Sequence, residues 1–347
     1  MTAFLKPDII KLPDGNSSQN GDQGSYMTRL FAFLLIFIST ATYAMYPEPA
    51  TADFSDWLFF SQGTGKNQLM WLSEANGGML DGPFQGPMAF ITDKRGNLWV
   101  GDSLNARILA VDSTGRPGRE YDLIKAAREA GLASDPLLID LVPNINNKLL
   151  VADASNNAIL EINVSGGKSR AFLPPPAGHR WSQINRVHTD GEGRIYVEDV
   201  ALRQTIIISQ DGKPLQTLTG QIGLAVAESS RIALISASAS DITEWYILTS
   251  DKPGSELKKL ARLNAENPIV WCSLIGYDSL NHLTAVFDTQ LARHYVTFDS
   301  EGTILKKHTT PLQDPGYDVN HPDWIDKSGN IYTLQVKHPT LSILRLD

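Results

Sequence analysis

One segment recurs down most of the chain, and its period constrains the fold more than any other feature. In its clearest copy, residues 87–123, Met88 and Phe90 alternate with smaller residues in a first strand, and Asp93-Lys94-Arg95-Gly96 makes a short turn. Asn97 to Gly101 is a second strand, Asp102 to Arg107 a polar loop, and Ile108 to Val111 a third strand. Ser113-Thr114-Gly115 turns the chain into a fourth strand ending at Leu123. The glycine closing the first turn fits a position that needs positive φ, which a side chain resists.

Aligned on that turn, the copies fall at Asp93, Asn144, Asp190, a degenerate site near Ala227, Asp278 and Asp326, with spacings of 37 to 51 residues. The second strands keep register: LWVGD at 98–102, LLVAD at 149–153, IYVED at 195–199 and IYTLQ at 331–335. Six units of four short antiparallel strands predict an all-β chain, a six-bladed β-propeller. The last unit ends after its third strand. A ring left open exposes a strand edge, so an N-terminal strand is expected to complete it, with Gln68 to Ser73 pairing the final strand at 341–346.

Upstream of the repeats, residues 1–26 are polar and aperiodic and read as a disordered extension or a start assigned too early. Residues 27–44 carry Arg29, an uninterrupted apolar run from Leu30 to Ile38 and a small-residue exit ending at Ala44, the pattern of a secretory signal. The apolar run is about half of the roughly 20 residues a membrane span needs. Residues 45–66 form a linker and closure segment, and 67–347 the ring. A secreted or periplasmic monomer without a lasting membrane span is expected.

A net charge of −8, with scattered acids, opposes nucleic-acid binding, which favours a basic stripe. The single cysteine, Cys272, cannot form an internal disulfide and reads as a buried strand position rather than a nucleophile. Asn163-Val164-Ser165 is a glycosylation sequon before the turn at Gly166-Gly167.

Strand direction separates two rims. Turns after first and third strands share one rim and are short; loops after second and fourth strands share the other and are long. Binding groups gather on irregular loops held by a rigid scaffold, so a protein, glycan or small-molecule ligand is expected on the long-loop rim. The candidate residues there are Arg107, His179, Arg180, Trp181, Arg203, Arg293, His294, Tyr317, His321 and Trp324. A blander role suits three of them, since Arg107, Arg203 and Arg293 follow Asp102, Asp199 and Asp288 closely enough to pair with them. His188 and Asp190, with Arg186 nearby, lack further ligands at metal spacing. A zinc site would need His179, His188 and His321 to converge in space.

DKRGNLWVGDSLNARILAVDSTG at 93–115 and NKLLVADASNNAILEINVSGG at 147–167 resemble the NHL-repeat family of six-bladed propellers. The resemblance runs from about Gly82 to Asp347 and implies a binding or scaffolding module without catalytic residues or a cofactor. The blade pattern is more distantly similar to sugar-lactone lactonases of the gluconolactonase/regucalcin type, which would imply an enzyme holding one axial divalent cation. Where that family opens with Glu-Gly-Pro, this chain has Gln85-Gly86-Pro87, and the Pro-Asn-Gly of its middle blades has no counterpart. An NHL-type zinc lyase would need the histidine cluster just described.

Overall fold

The computed structural model describes residues 54–72, 86–93, 95–175, 181–237, 245–265, 267–312, 321–337 and 340–346. The proposed signal therefore lies outside the described residues, as do Gln85, His179, Arg180 and Tyr317.

Six antiparallel sheets form a β-propeller. Strands β1 (Phe54–Gln62) and β2 (Gln68–Leu69) precede the first blade, β3 (Ala89–Thr92), β4 (Leu98–Asp102), β5 (Arg107–Val111) and β6 (Pro117–Asp122). Helix α1 (Leu123–Glu129) leads to blade two: β7 (Leu138–Asn144), β8 (Lys148–Asp153), β9 (Ala158–Asn163) and β10 (Arg170–Phe172). Blade three holds β11 (Ile184–Thr189), β12 (Ile195–Asp199), β13 (Gln204–Ile208) and β14 (Pro214–Thr219). Blade four holds β15 (Ala225–Val226), β16 (Ile232–Ala237), β17 (Trp245–Ser250) and β18 (Lys258–Leu263). Blade five holds β19 (Trp271–Tyr277), β20 (Leu283–Asp288), β21 (Ala292–Phe298) and β22 (Ile304–Pro311). The last blade contains β23 (Asp323–Ile325), β24 (Ile331–Lys337) and β25 (Thr340–Leu346). The first five blades run from inner to outer strand in chain order, and in the last β23, β24 and β25 are followed outward by β1 and β2 from the other end of the chain.

The recurring turn has one construction. Asp93 Oδ1 accepts the backbone N–H groups of Arg95 at 2.8 Å and Asn97 at 2.9 Å. Asp190, Asp278 and Asp326 repeat the arrangement with the residues two and four positions on. A short carboxylate thus replaces the ladder partners that a turn denies its backbone. Gly96 at φ +75° and Gly193 at φ +76° supply the left-handed residue. In blade four, where Ala227 stands in the acid's place, Ser230 takes that conformation at φ +70° and donates its N–H to the Ala227 carbonyl.

Closure uses a different segment from the one expected. β1, not Gln68–Ser73, pairs antiparallel with β25, from Phe54 opposite Leu346 to Ser61 opposite Thr340, while β2 adds a two-residue parallel strand outside it. Nine residues offer a longer ladder than a segment that pairs over two, and Leu69 and Trp71 of that second segment instead join Leu58 and Phe60 in the core at the seam. The sheets then bury apolar faces between neighbours all round the ring. Phe60, Phe90, Leu98 and Leu341 join the last blade to the first. Ile275, Tyr295, Ile325 and Leu346 join the fifth to the last. No helix among the described residues is long and apolar enough to cross a membrane.

Candidate functional site

The inner strands end at the short-turn rim, where a cavity of about 400 Å³ opens on the ring axis. Every blade contributes to its wall: Trp99, Val142, His188, Val226, Tyr277 and Trp324 come from blades one to six in order. The wall mixes apolar side chains with polar and charged ones such as Asp93, Arg95, Lys148, Asp190, Glu228 and Lys327, a lining that offers both burial and polar contacts to a small molecule. Two lining residues carry a polar atom that is buried without a hydrogen-bond partner, the Trp99 indole N–H and the Tyr277 hydroxyl. Trp324 is fixed by its indole N–H, which donates to Thr92 Oγ1 at 3.0 Å.

A charged cluster that shares His188 with the cavity wall is assembled from three strands, β7, β11 and β12, and the connections that precede β15 and β23. Arg186 and His188 share a face of β11, two residues and thus about 7 Å apart along the strand. His188 Nε2 meets Glu198 Oε1 of β12 at 2.8 Å, and the same carboxylate accepts the Gly223 and Leu224 N–H groups just before β15. Across the ring, His321 Nδ1 donates to Asp140 Oδ1 of β7 at 2.8 Å. Asp140 also accepts the N–H groups of Leu141 at 2.9 Å and Val187 at 2.7 Å.

Burial alone would raise both carboxyls, but these donors and the Arg186 charge reverse that. Asp140 is held below the usual carboxylate range, chiefly by His321, and Glu198 falls to about 2 through His188, Arg186 and the Gly223 amide. Burial, then the guanidinium charge, pushes His321 below the ordinary imidazole value, against the pull of Asp140. Asp140 is therefore ionised and His321 neutral near pH 7. Arg186 Nε and His321 Nε2 are buried with no hydrogen-bond partner.

The axial cation implied by the lactonase resemblance does not fit these residues. Each carboxylate is saturated by N–H donors and faces a guanidinium, whereas a hard divalent ion needs several free oxygens. Among the described residues, no group of three His, Cys, Asp or Glu is arranged to hold a metal.

The residues expected on the long-loop rim separate into distinct environments. Trp324 lines the axial cavity, and His321 is buried against Asp140. Arg107 is buried, with Nε on Asp102 Oδ2 at 2.8 Å and its terminal nitrogens on the carbonyls of Thr64, Gly65 and Gln68. It fastens the segment between β1 and the first blade. Arg293 grips Asp288 through two bonds of 2.8 Å, so the pairing expected of these arginines holds for both. Arg203 departs from it. This residue is exposed at φ +48°, and Asp199 instead accepts the N–H groups of Ser182 and Leu202.

Trp181, a binding candidate for the long-loop rim, is a core residue instead. It is 0% exposed, lies in the core between blades two and three, and donates its indole N–H to the Asn157 carbonyl at 2.9 Å. A large apolar side chain beside a proline-rich loop gains more from that interblade gap than from water. His294 stacks on Phe287 at 4.8 Å and bonds Thr309 Oγ1 through Nδ1. Reasoning from the sequence missed Asp140, Glu198 and most of the pocket wall, of which it had singled out His188, Asp190 and Trp324. The only local signals were Glu198 in IYVED, where the other blades have a small or apolar residue, and the acid interrupting the apolar run of β7.

No family model matches the chain, and no curated protein matches it in sequence. The resemblance to NHL repeats therefore remains one of blade pattern. Solved structures do match. A member of the duf4221 family from Bacteroides vulgatus is 11% identical, over 85% of this chain and 98% of that one, with a TM-score of 0.56. A gluconolactonase from Xanthomonas campestris is 14% identical over 86% and 98%, with a TM-score of 0.47. A streptogramin B lyase is 13% identical over 77% and 96%, with a TM-score of 0.47. At such identities the likeness is one of fold.

Proposed function

We propose that the chain is an exported binding module whose ligand, a small molecule, occupies the axial mouth on the short-turn rim. The observation that carries this reading is the cavity of about 400 Å³ to which all six blades contribute a wall. Its size and mixed lining suit a small molecule better than a flat protein surface. The Asp140 and Glu198 carboxylates of the neighbouring cluster are each committed to three N–H or ring-nitrogen partners, which favours recognition over turnover. Export rests on Arg29, Leu30 to Ile38 and Ala44, and mass spectrometry of the exported protein is expected to find an N-terminus near Met45.

The mouth is tested by affinity selection of a small-molecule library on the full chain and on Val226→Trp, which fills it. Bound compounds are expected to be lost from the variant at an unchanged melting temperature, and to be recovered chemically intact from the wild type. Recovery of hydrolysed lactones would favour the enzyme reading. Binding that survives Val226→Trp but is lost in Arg203→Ala would move the ligand to the long-loop rim.

A further inference from the structure

Away from the axis, on the outer flank between the fifth blade and the last, lies a groove of about 460 Å³. One wall is β22, the outermost strand of its blade, and the other is the turn at Gly329 with the start of β24 and the end of β25. Its charge is one-sided. Lys306, Lys307 and His308 follow one another along β22, Arg345 comes from β25, and among the described residues no acid lines the groove. The two lysines and the arginine are exposed, so their charged ends are within reach of a solute.

Two acids border the Gly329 turn, and both are engaged elsewhere. Asp326 accepts the N–H groups of Ser328 and Asn330, the Asn330 side-chain amide and the Tyr332 hydroxyl. Asp278 accepts the N–H groups of Leu280 and His282 and meets the His282 ring. Lysines along an outer strand also keep its edge from pairing with another chain, but that role needs neither a cavity nor a cation from the neighbouring blade. A bulge at Leu305, where Lys306 pairs with Thr297 but Ile304 with Phe298, bends the edge at the point where the lysines begin. The groove also includes two buried apolar side chains, Ile331 and Leu346. Burial, then the Lys306 charge, pushes His308 below the ordinary imidazole value.

We propose that this groove binds the phosphate group of a small ligand, held by Lys306 and Lys307 with Arg345 beside them. A phosphate brings close to two negative charges and several acceptor oxygens to a set of donors without an acid of its own. A carboxylate, with one charge and two oxygens, would leave more of that set unused. The free ion fills only part of about 460 Å³, so the groove also has room for the group that a phosphate ester carries. The site is separate from the axial mouth, and neither reading needs the other.

The probes are inorganic phosphate and glucose 6-phosphate, with glucose as the uncharged counterpart and potassium chloride at matched ionic strength as the control for screening. Affinities for the full chain are read by calorimetry at pH 7.5. In a second measurement the histidine rings are ¹⁵N-labelled and followed by NMR from pH 5.5 to 7.5, with sulfate as an anion doubly charged throughout. An anion in the groove opposes the Lys306 charge and favours the imidazolium, so sulfate is expected to raise the pH at which His308 titrates and to leave His321 unmoved. Lys306→Ala with Lys307→Ala is expected to weaken phosphate about tenfold, the worth of two exposed ion pairs, and to remove the His308 shift at an unchanged melting temperature. Lys252→Ala with Lys258→Ala, the same loss of charge on blade four, is expected to do neither. Tighter binding of glucose 6-phosphate than of phosphate assigns the group to an ester, and equal binding assigns it to the free ion. Binding no stronger than chloride or glucose gives, binding kept by the Lys306 and Lys307 variant, or a His308 ring that sulfate leaves unmoved overturns the proposal.

Discussion

Two adjacent aromatic residues in β1 give the sharpest test of how the ring is closed. Phe60 is 2% exposed and packs with Leu58, Phe90 and Leu341 across the junction of the last blade and the first, whereas Phe59 is 56% exposed. Both pair with β25, opposite Leu341 and Ser342. They therefore share backbone context and differ in burial. Removing a buried phenylalanine side chain costs about 3–5 kcal/mol, whereas an exposed one away from special features changes stability by roughly 0.5 kcal/mol or less. At about 2–4 °C per kcal/mol for a domain of this size class, Phe60→Ala is expected to melt roughly 6–20 °C lower and Phe59→Ala almost unchanged. Urea unfolding of the full chain, followed by tryptophan fluorescence, gives the same comparison through the midpoint at constant slope. Equal effects from the two changes, or a Phe60→Ala midpoint indistinguishable from wild type, would mean that β1 does not seal the ring.

The other predictions concern buried charge. Asp190 Oδ2 accepts from the Tyr196 hydroxyl at 3.0 Å, Arg194 Nε at 2.7 Å and the Ser230 hydroxyl at 3.0 Å. Asp190→Ala is thus expected to cost about 3–5 kcal/mol in urea unfolding, as one partner's removal strands the rest, with Asp190→Asn losing less. The pH dependence follows from His321, whose value is lower folded than unfolded. Below about pH 6.5 the unfolded chain binds the extra proton and the folded one does not, so stability falls as pH drops through that window. His321→Gln is expected to flatten this part of the curve in urea midpoints. Asp140 and Glu198, both depressed, add a second loss at lower pH, as pH falls through their folded values.

The blades were legible in the sequence because their signals are local. An acid, two loop residues and a left-handed glycine lie within one turn, and LWVGD or IYVED follows at a fixed offset. Blade four shows the limit, since its turn keeps the geometry through Ser230 after losing the acid. Closure by β1 was harder to read because Trp57 to Phe60 and Leu69 to Leu72 are comparably apolar, and only the ladder with β25 distinguishes them. The axial cluster is non-local altogether. His321 and Asp140 reside in blades separated by a third, and nothing near either in sequence indicates the other. Trp181 was misplaced for a related reason: its neighbours are loop residues, while its packing partners are strands of two other segments.

The sheet that unites Phe54 with Leu346 also has a bearing on the order of synthesis. A ribosome delivers β1 long before β25, so the first-made strand must wait, unpaired, until almost the whole propeller has emerged. Linking the two ends and reopening the chain at Gly223, between blades three and four, would rearrange that timetable. In such a circular permutant β1, β24 and β25 would become neighbours in a single hairpin-like run, and the late, long-range closure would shift to the interface of blades three and four, where Tyr196, Leu218, Leu224 and Ile232 already form a core without strand exchange.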